Sequence, residues 1–167
     1  AALLTAEELP GVTVPFLRFH PTLCPHLARA LPPEERPALE GRFRQRYYAT
    51  ANYLYHADTQ TPLQARALAL REMPNLRKAL TLTVQAGEDE AAVELAECIE
   101  RFLNYFGRWR ERDEVLREAG IGEGMRDADA GPLTKAAFLR ASRRGEALLQ
   151  QGRAQDAERV FRDLLAR

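Results

Sequence analysis

The stretch from Ala136 to Ala166 constrains the fold most, because it predicts two short amphipathic helices joined by a tight turn. Gly145 lies inside the first helix, where glycine costs about 1 kcal/mol relative to alanine, which a helix tolerates when another helix approaches closely. Gly152 can adopt the left-handed conformation that ends a helix. The second helix carries an apolar stripe of Ala157, Val160, Phe161 and Leu164. We therefore expect a helical hairpin in which Ala157 allows close approach and Phe161 fills the space between the helices.

The spacing of these residues resembles the tetratricopeptide repeat, a family of helix pairs about 34 residues long. The positions that carry this resemblance are Gly145, Leu148, Gly152, Ala157 and Phe161. The chain departs from the family pattern at Ala141, where the family prefers Trp, and at Leu148, where it prefers Tyr. The resemblance implies an all-α fold, an α-α superhelix of stacked hairpins, and a role in binding other proteins.

A second, degenerate hairpin is predicted upstream of the first. Residues 88–106 keep apolar side chains at helical spacing through five turns, Gly107 ends this helix, and residues 109–119 form its partner. Gly107 corresponds to the turn glycine of the first hairpin, 45 residues later, and Leu116 takes the place of Phe161. This pair resembles a second repeat of the same family.

The two predicted hairpins are joined by residues 120–131, a polar, Gly-rich connector. The last repeat, residues 136–167, would stop before the closing Pro that the family prefers. We therefore expect the chain to be a fragment of a longer protein, with an apolar face of the last repeat that is exposed and available for dimerisation.

The rest of the chain predicts further helices and one β-like run. The predicted segments are a helix end over residues 1–9, a β-like run over 12–19, and helices over 20–31, 34–56, 62–70 and 75–86. Met73-Pro74 is expected to break or kink the helix that begins at Pro62, before residues 75–86 continue it, because proline disfavours a helical conformation in the preceding residue. The total is about eight helices, mostly antiparallel neighbours, for which a solenoid is the natural arrangement.

The N-terminal segment FLRFHPTLCPHLARAL is similar to the end of the winged-helix segment that precedes the repeat arrays of large bacterial signalling NTPases of the STAND type. The run from Asn75 through Gly87 to Phe106-Gly107-Arg108-Trp109 is similar to the repeats that follow in such proteins. The resemblance implies a winged-helix-like linker over residues 1–31 and a helical repeat domain over residues 32–167. The sequence has no phosphate-binding GxxxxGK[ST] loop, so the NTPase itself is not part of it.

The charge and cysteine content narrow the function classes. The 24 basic residues equal the 24 acidic ones, whereas dedicated nucleic-acid binders carry a basic excess. Two cysteines are too few for a disulfide framework and favour the reducing cytoplasm. No apolar run reaches the roughly 18 residues of a membrane span, and we expect no membrane association.

Sites for metals, cofactors and catalysis are weakly supported. His20, Cys24 and His26 lie close together and are types of residue that bind zinc, but a fourth ligand is missing, and a core role for Cys24 is the favoured interpretation. Cys98 lies on an apolar stripe, so an unreactive place in the core is the favoured interpretation. Residues Gly120 to Gly124 lack the preceding strand and the lysine of a nucleotide-binding loop, so a connector is the favoured interpretation. We expect no cofactor, no metal and no enzymatic activity.

Two clusters combine arginines with aromatic residues, one around Trp109 and one over residues 42–48. Either could bind a peptide carboxylate or a phosphate, but a solvated helix face with ion pairs is the favoured interpretation. For Trp109 itself, a place in the core between helices is favoured over a stacking platform.

The leading hypothesis is a protein-interaction module whose groove is lined by the first helix of each pair. The groove candidates are Asn104, Tyr105, Arg140, Arg143 and Arg144, whose positive charge would favour an acidic peptide or a C-terminal carboxylate. A structural linker within a signalling NTPase is the alternative. Binding of nucleic acid through the arginines of residues 42–46 is a third hypothesis, which the neutral net charge disfavours.

Overall fold

A computed structural model of the chain describes residues 3–121 and 133–166. Within these ranges it contains two strands and seven helices, which confirms the predicted all-α class with a short β-like N-terminal segment. Their bounds are β1 Leu4–Glu7, β2 Phe16–Phe19, α1 Leu23–Ala30, α2 Arg36–Gln60, α3 Pro62–Gln85, α4 Asp89–Tyr105, α5 Trp109–Glu118, α6 Lys135–Gln150 and α7 Ala154–Leu165. The predicted connector lies almost wholly outside the described residues.

The chain divides into two compact units, Ala1–Ala79 and Leu80–Arg167. The boundary expected from the sequence, between residues 31 and 32, stays a prediction. Within the described ranges, no helix combines the length and the apolar character needed to cross a membrane.

The first unit begins with a β-hairpin in which β1 and β2 pair antiparallel, with Leu4 opposite Phe19 and Glu7 opposite Phe16. The prediction of a helix end over residues 1–9 is therefore wrong. Pairing with β2 satisfies the backbone N–H and C=O groups of this segment through residues that lie 9 to 15 positions later in the sequence, which local helix propensity does not include.

Two long helices follow in this unit, and α3 runs through Pro74 without interruption. The prediction of a break at Met73-Pro74 is wrong, and it accounts for the predicted eighth helix. Proline removes one backbone hydrogen bond from a helix interior. Met73 and Leu76 on either side are fully buried, and this packing offsets the loss.

Arg71 of α3 fastens the β-hairpin to the helices of the first unit. Its Nε donates to Glu7 Oε2 at 3.1 Å, its Nη2 donates to the Leu17 carbonyl at 3.0 Å, and its guanidinium lies 4.5 Å from the centroid of the Phe16 ring. An isolated two-stranded hairpin is marginal in water. The contacts of one arginine with both strands therefore explain how so short a sheet is held.

In the second unit, α4 packs against both α5 and α6, and α6 packs against α7. The apolar stripe predicted for α4 is confirmed at Ala92, Leu95, Ala96, Ile99 and Leu103, which are buried, whereas its last predicted member, Phe106, is half-buried. Val93, Cys98 and Phe102 are buried as well. On α5, Val115 is fully buried and the predicted counterpart of Phe161, Leu116, is half-buried. The core of this unit is therefore centred on α4.

Candidate functional site

The α4–α5 and α6–α7 hairpins turn through the same backbone motif. Gly107 and Gly152 have φ values of +66° and +75°, so both take the left-handed conformation that the sequence predicted. Gly107 N–H donates to the Asn104 carbonyl at 3.2 Å and Arg108 N–H to the Leu103 carbonyl at 2.9 Å, which is the Schellman pattern. The corresponding bonds at Gly152 measure 3.0 and 2.9 Å.

Each turn is followed by an arginine that pairs with an acidic residue three positions later. Arg108 Nε lies 2.5 Å from Glu111 Oε1, and Arg153 Nη2 lies 2.9 Å from Asp156 Oδ2. Both carboxylates lie in the first turn of a helix, where negative charge is favoured by the helix dipole. The repeated turn therefore includes a side-chain pair as well as a backbone cap.

The α6–α7 hairpin closes through Gly145 and Phe161, as the sequence predicted. A Cβ on Gly145 would lie only 2.7 Å from Phe161 Cε2 and 2.8 Å from Cε1, so the ring rests directly on the α6 backbone. Ala157 is fully buried and Leu148 nearly so. The residues that carry the repeat resemblance are thus the ones that set the spacing of these two helices.

The two hairpins together line a cavity of about 470 Å³. We call it the hairpin cavity. Its apolar lining residues are Leu116, Ile121, Ala141, Ala147, Leu148, Val160 and Leu164, and its polar ones are Glu100, Arg143, Arg144, Glu146, Gln150, Arg153, Asp156, Arg159 and Asp163. Cavities that hold ligands or side-chain anchors of partners combine apolar walls with a few polar groups in this way.

Charges of both signs balance at the hairpin cavity. Arg143 Nε donates to Glu97 Oε1 at 2.9 Å, and its Nη1 donates to Glu146 Oε2 at 3.1 Å. Burial lowers the pKa of Arg143, but the hydrogen bond and charge of Glu97 outweigh this effect and raise the pKa overall. Arg143 is therefore permanently charged and already held by carboxylates of α4 and α6.

Of the five groove residues predicted from the sequence, only Arg143 and Arg144 line the hairpin cavity. Arg140 donates from Nε to the Ala119 carbonyl at 3.3 Å and from Nη1 to Asp89 at 3.4 Å. Asn104 Oδ1 accepts from Arg112 Nη1 at 3.4 Å, and Tyr105 is half exposed. Periodicity alone did not separate the arginines that face the cavity from the one that fastens α6 to its neighbours.

Sequence reasoning missed the contribution of α7 to this cavity. Val160 and Leu164 belong to the apolar stripe predicted for this helix, and the structure shows that they are only half-buried and line the cavity. The available signal was the length of the stripe, which continues one turn past Phe161, the residue that fills the hairpin interior.

The remaining candidates from the sequence are the two cysteines, a metal site and Trp109. Cys24 is exposed, so its assignment to the core is wrong, whereas Cys98 is buried as expected. Across residues 3–121 and 133–166, no group of three or more His, Cys, Asp or Glu residues is placed to hold a metal ion. Trp109 is 55% exposed, which corrects its assignment to the core, and the Arg112 guanidinium lies 5.5 Å from its ring centroid.

Comparison of the chain with protein-family models, with curated proteins and with solved structures finds no match. The tetratricopeptide-like and signalling-NTPase resemblances therefore stay predictions from the sequence.

Proposed function

We propose that the chain is a non-catalytic, tetratricopeptide-like interaction module that binds a segment of a partner protein at the hairpin cavity. The observation that carries this proposal is the cavity itself, which combines apolar and charged lining residues and is lined by two hairpins that share one turn motif. Binding would proceed through burial of apolar side chains of the partner, without covalent chemistry.

The lining favours an amphipathic partner segment, most simply a helix. Its apolar side chains would contact Leu116, Leu148 and Leu164, which present branched side chains toward one space. Acidic groups on the same segment would approach Arg144 and Arg159 of the lining, and at Arg159 they would compete with Asp156, whose Oδ1 lies 3.8 Å from Arg159 Nη2. Arg143 already has carboxylate partners and would add to orientation more than to net charge.

The proposal extends to the setting of the module. The resemblance of its N-terminal segment and repeats to STAND-type signalling NTPases supports a place in the arm of a bacterial signalling protein, in the cytoplasm. Self-association through the exposed apolar face of the last repeat belongs to the same proposal, because Phe138 and Leu149 of α6 are 47% and 51% exposed.

The test is a selection of peptides displayed on phage against the whole chain, followed by affinity measurement with the selected peptide. Leu164→Asp places a charge in the hairpin cavity, and Leu165→Asp is the matched control, because it is the next residue on α7 and does not line the cavity. We expect at least tenfold weaker binding to the first variant and less than twofold change for the second.

A second variant guards against a folding defect in Leu164→Asp. Ala147 lines the cavity from an exposed position on α6, so Ala147→Trp should fill the cavity without disturbing the core, and it should also weaken binding. Thermal unfolding followed by circular dichroism checks that all variants fold. If no peptide is enriched, or if the selected peptide binds all variants equally, the interaction module fails and the alternative of a structural linker gains support.

A further inference from the structure

A second cleft lies within the first unit, between α2, α3 and β2, and has a volume of about 340 Å³. We call it the aromatic cleft. Its lining residues are Phe16, Arg46, Tyr47, Ala49, Thr50, Tyr53, Leu54, Leu68 and Glu72. Three aromatic rings, two leucines and two opposite charges therefore share one small space, which is separate from the residues of the proposed interaction site.

The negative charge of the aromatic cleft is already compensated. Glu72 is buried, and its Oε2 accepts hydrogen bonds from Tyr47 Oη at 2.9 Å and from Asn75 Nδ2 at 2.7 Å, while its Oε1 pairs with Arg71. Burial and the hydrogen bond to Glu72 raise the pKa of Tyr47 to about 12, so this hydroxyl stays protonated as a donor at neutral pH. Because Glu72 has these partners within the chain, it needs no cationic ligand to balance its charge.

The positive charge of the aromatic cleft comes from Arg46. In the part of the chain that the structure describes, no carboxylate forms an ion pair with Arg46 or with Arg42, one helical turn earlier on α2. Residues 36–46 carry four arginines and a single glutamate, so the first half of α2 is basic. The cleft therefore offers a monovalent anion one guanidinium, next to apolar and aromatic walls.

We propose that the aromatic cleft binds the C-terminal residue of a partner polypeptide, with its α-carboxylate on Arg46 and its apolar side chain among the rings of Tyr47 and Tyr53. The cleft brings the guanidinium and the rings into one space that is large enough for a large C-terminal residue. At a chain end, the carboxylate and the side chain are attached to the same Cα, so both groups enter together. A carboxylate pairs with an arginine in bidentate geometry.

Two other anionic ligands fit these observations less well. A phosphate monoester carries close to two negative charges at neutral pH, and among the described lining residues Arg46 is the one guanidinium that could pair with them. An internal Asp or Glu places its carboxylate and the nearest apolar side chain on different residues, whose side chains diverge. The C-terminal residue is the source that matches both the charge and the size.

The experiment is an NMR titration of the whole isotope-labelled chain with N-acetyl-Gly-Phe as the free acid and with the same dipeptide as its C-terminal amide. The amide signals of Thr50, Tyr53 and Leu68 should shift with the free acid. The amide analogue should bind about tenfold more weakly, because it lacks the charge that Arg46 pairs with. The two ligands differ only at the carboxylate, so the ratio isolates the arginine contact.

Two variants locate the effect. Arg46→Gln should abolish the preference for the free acid, and Arg42→Gln is the matched control, because it removes an equally unpaired charge outside the cleft lining and should keep the preference. Equal binding of acid and amide by the wild-type chain would overturn the proposal. So would binding of adenosine monophosphate or of N-acetyl-Asp-Phe-amide as tightly as the free acid. These outcomes do not depend on the hairpin cavity, so they leave the proposed interaction module to its own test.

Discussion

The α4–α5 and α6–α7 hairpins turn identically but pack with different side chains. Helix α4 buries large residues such as Ile99, Phe102 and Leu103, whereas α6 buries Ala136, Ala137, Gly145 and Leu148. The first hairpin is thus held by the volume of its side chains and the second by the close approach of its backbone. The turn of a hairpin therefore depends on a few local residues, whereas the packing of its helices depends on the side chains of the helix that lies opposite.

The largest expected difference concerns a leucine that occupies the same position in both turns. Leu103 and Leu148 each accept the Schellman bond through their carbonyls, but Leu103 is completely buried and Leu148 is 6% exposed beside the hairpin cavity. We expect Leu103→Ala to lower the free energy of unfolding by about 3–5 kcal/mol and Leu148→Ala by about 2–3 kcal/mol, measured by urea denaturation.

The reason for this order is the space that each truncation leaves. A cavity in the packed interior of α4 cannot collapse, whereas the site of Leu148 is already open on one side. An equal loss of stability in the two variants would mean that both hairpins depend on side-chain volume to the same extent, so that their packing does not differ.

The next expected effect is specific to the second hairpin. Gly145→Ala should lower the free energy of unfolding by about 1–3 kcal/mol, because the new methyl group would press on the Phe161 ring. Gly41→Ala in α2 is the matched control, since a Cβ there meets no atom within 4 Å. The control should stabilise the chain by up to about 1 kcal/mol through helix propensity alone.

The smaller side chain in Phe161→Leu should recover part of the loss in the Gly145→Ala background, measured in the same denaturation experiment. A Gly145→Ala variant as stable as the wild type, with no dependence on residue 161, would show that α6 and α7 do not require the close approach.

The turn glycines should, by contrast, respond alike. Gly107→Ala and Gly152→Ala should each cost about 1–2 kcal/mol, because an L-residue is strained at positive φ and neither site has a neighbour within 4 Å to add a clash. Thermal unfolding of the two variants should give losses that agree within about 0.5 kcal/mol. A clear difference would mean that the turn is not a purely local property.

The sequence allowed the helices of the second unit to be predicted because their signals are local. Turn glycines, apolar spacing and the pair of Gly145 and Phe161 all lie within one hairpin. The failures have non-local causes. The strand Leu4–Glu7 forms through pairing with Phe16–Phe19, and α3 passes through Pro74 because buried neighbours hold it.

The candidate site was predicted only in part for the same reason. Arg143 and Arg144 reach the hairpin cavity, but Arg140, on the same helix, is held by the Ala119 carbonyl, which no periodicity could indicate. The acidic residues of the cavity margin, such as Glu100 and Asp163, come from different hairpins. The sequence could not place these residues at one cavity, because they are brought together by the packing of α4 against α6 and of α6 against α7.

The smallest expected effect tests whether the ion pair after each turn adds to its stability. Arg108–Glu111 is less exposed than Arg153–Asp156, with side-chain exposures of 38% and 28% against 53% and 38%. A double-mutant cycle with Arg108→Gln and Glu111→Gln should give a coupling energy of about 0.5–1 kcal/mol. A cycle with Arg153→Gln and Asp156→Asn should give about 0.2–0.5 kcal/mol.

Both coupling energies should fall when the cycles are repeated at about 1 M salt, where the Debye length is only about 3 Å. Because Arg108 and Glu111 also make two parallel hydrogen bonds, at 2.5 and 2.6 Å, their coupling should survive better than that of the second pair. A larger coupling in the more exposed pair would contradict this order. It would mean that the two turns share their backbone geometry but use their charged side chains differently.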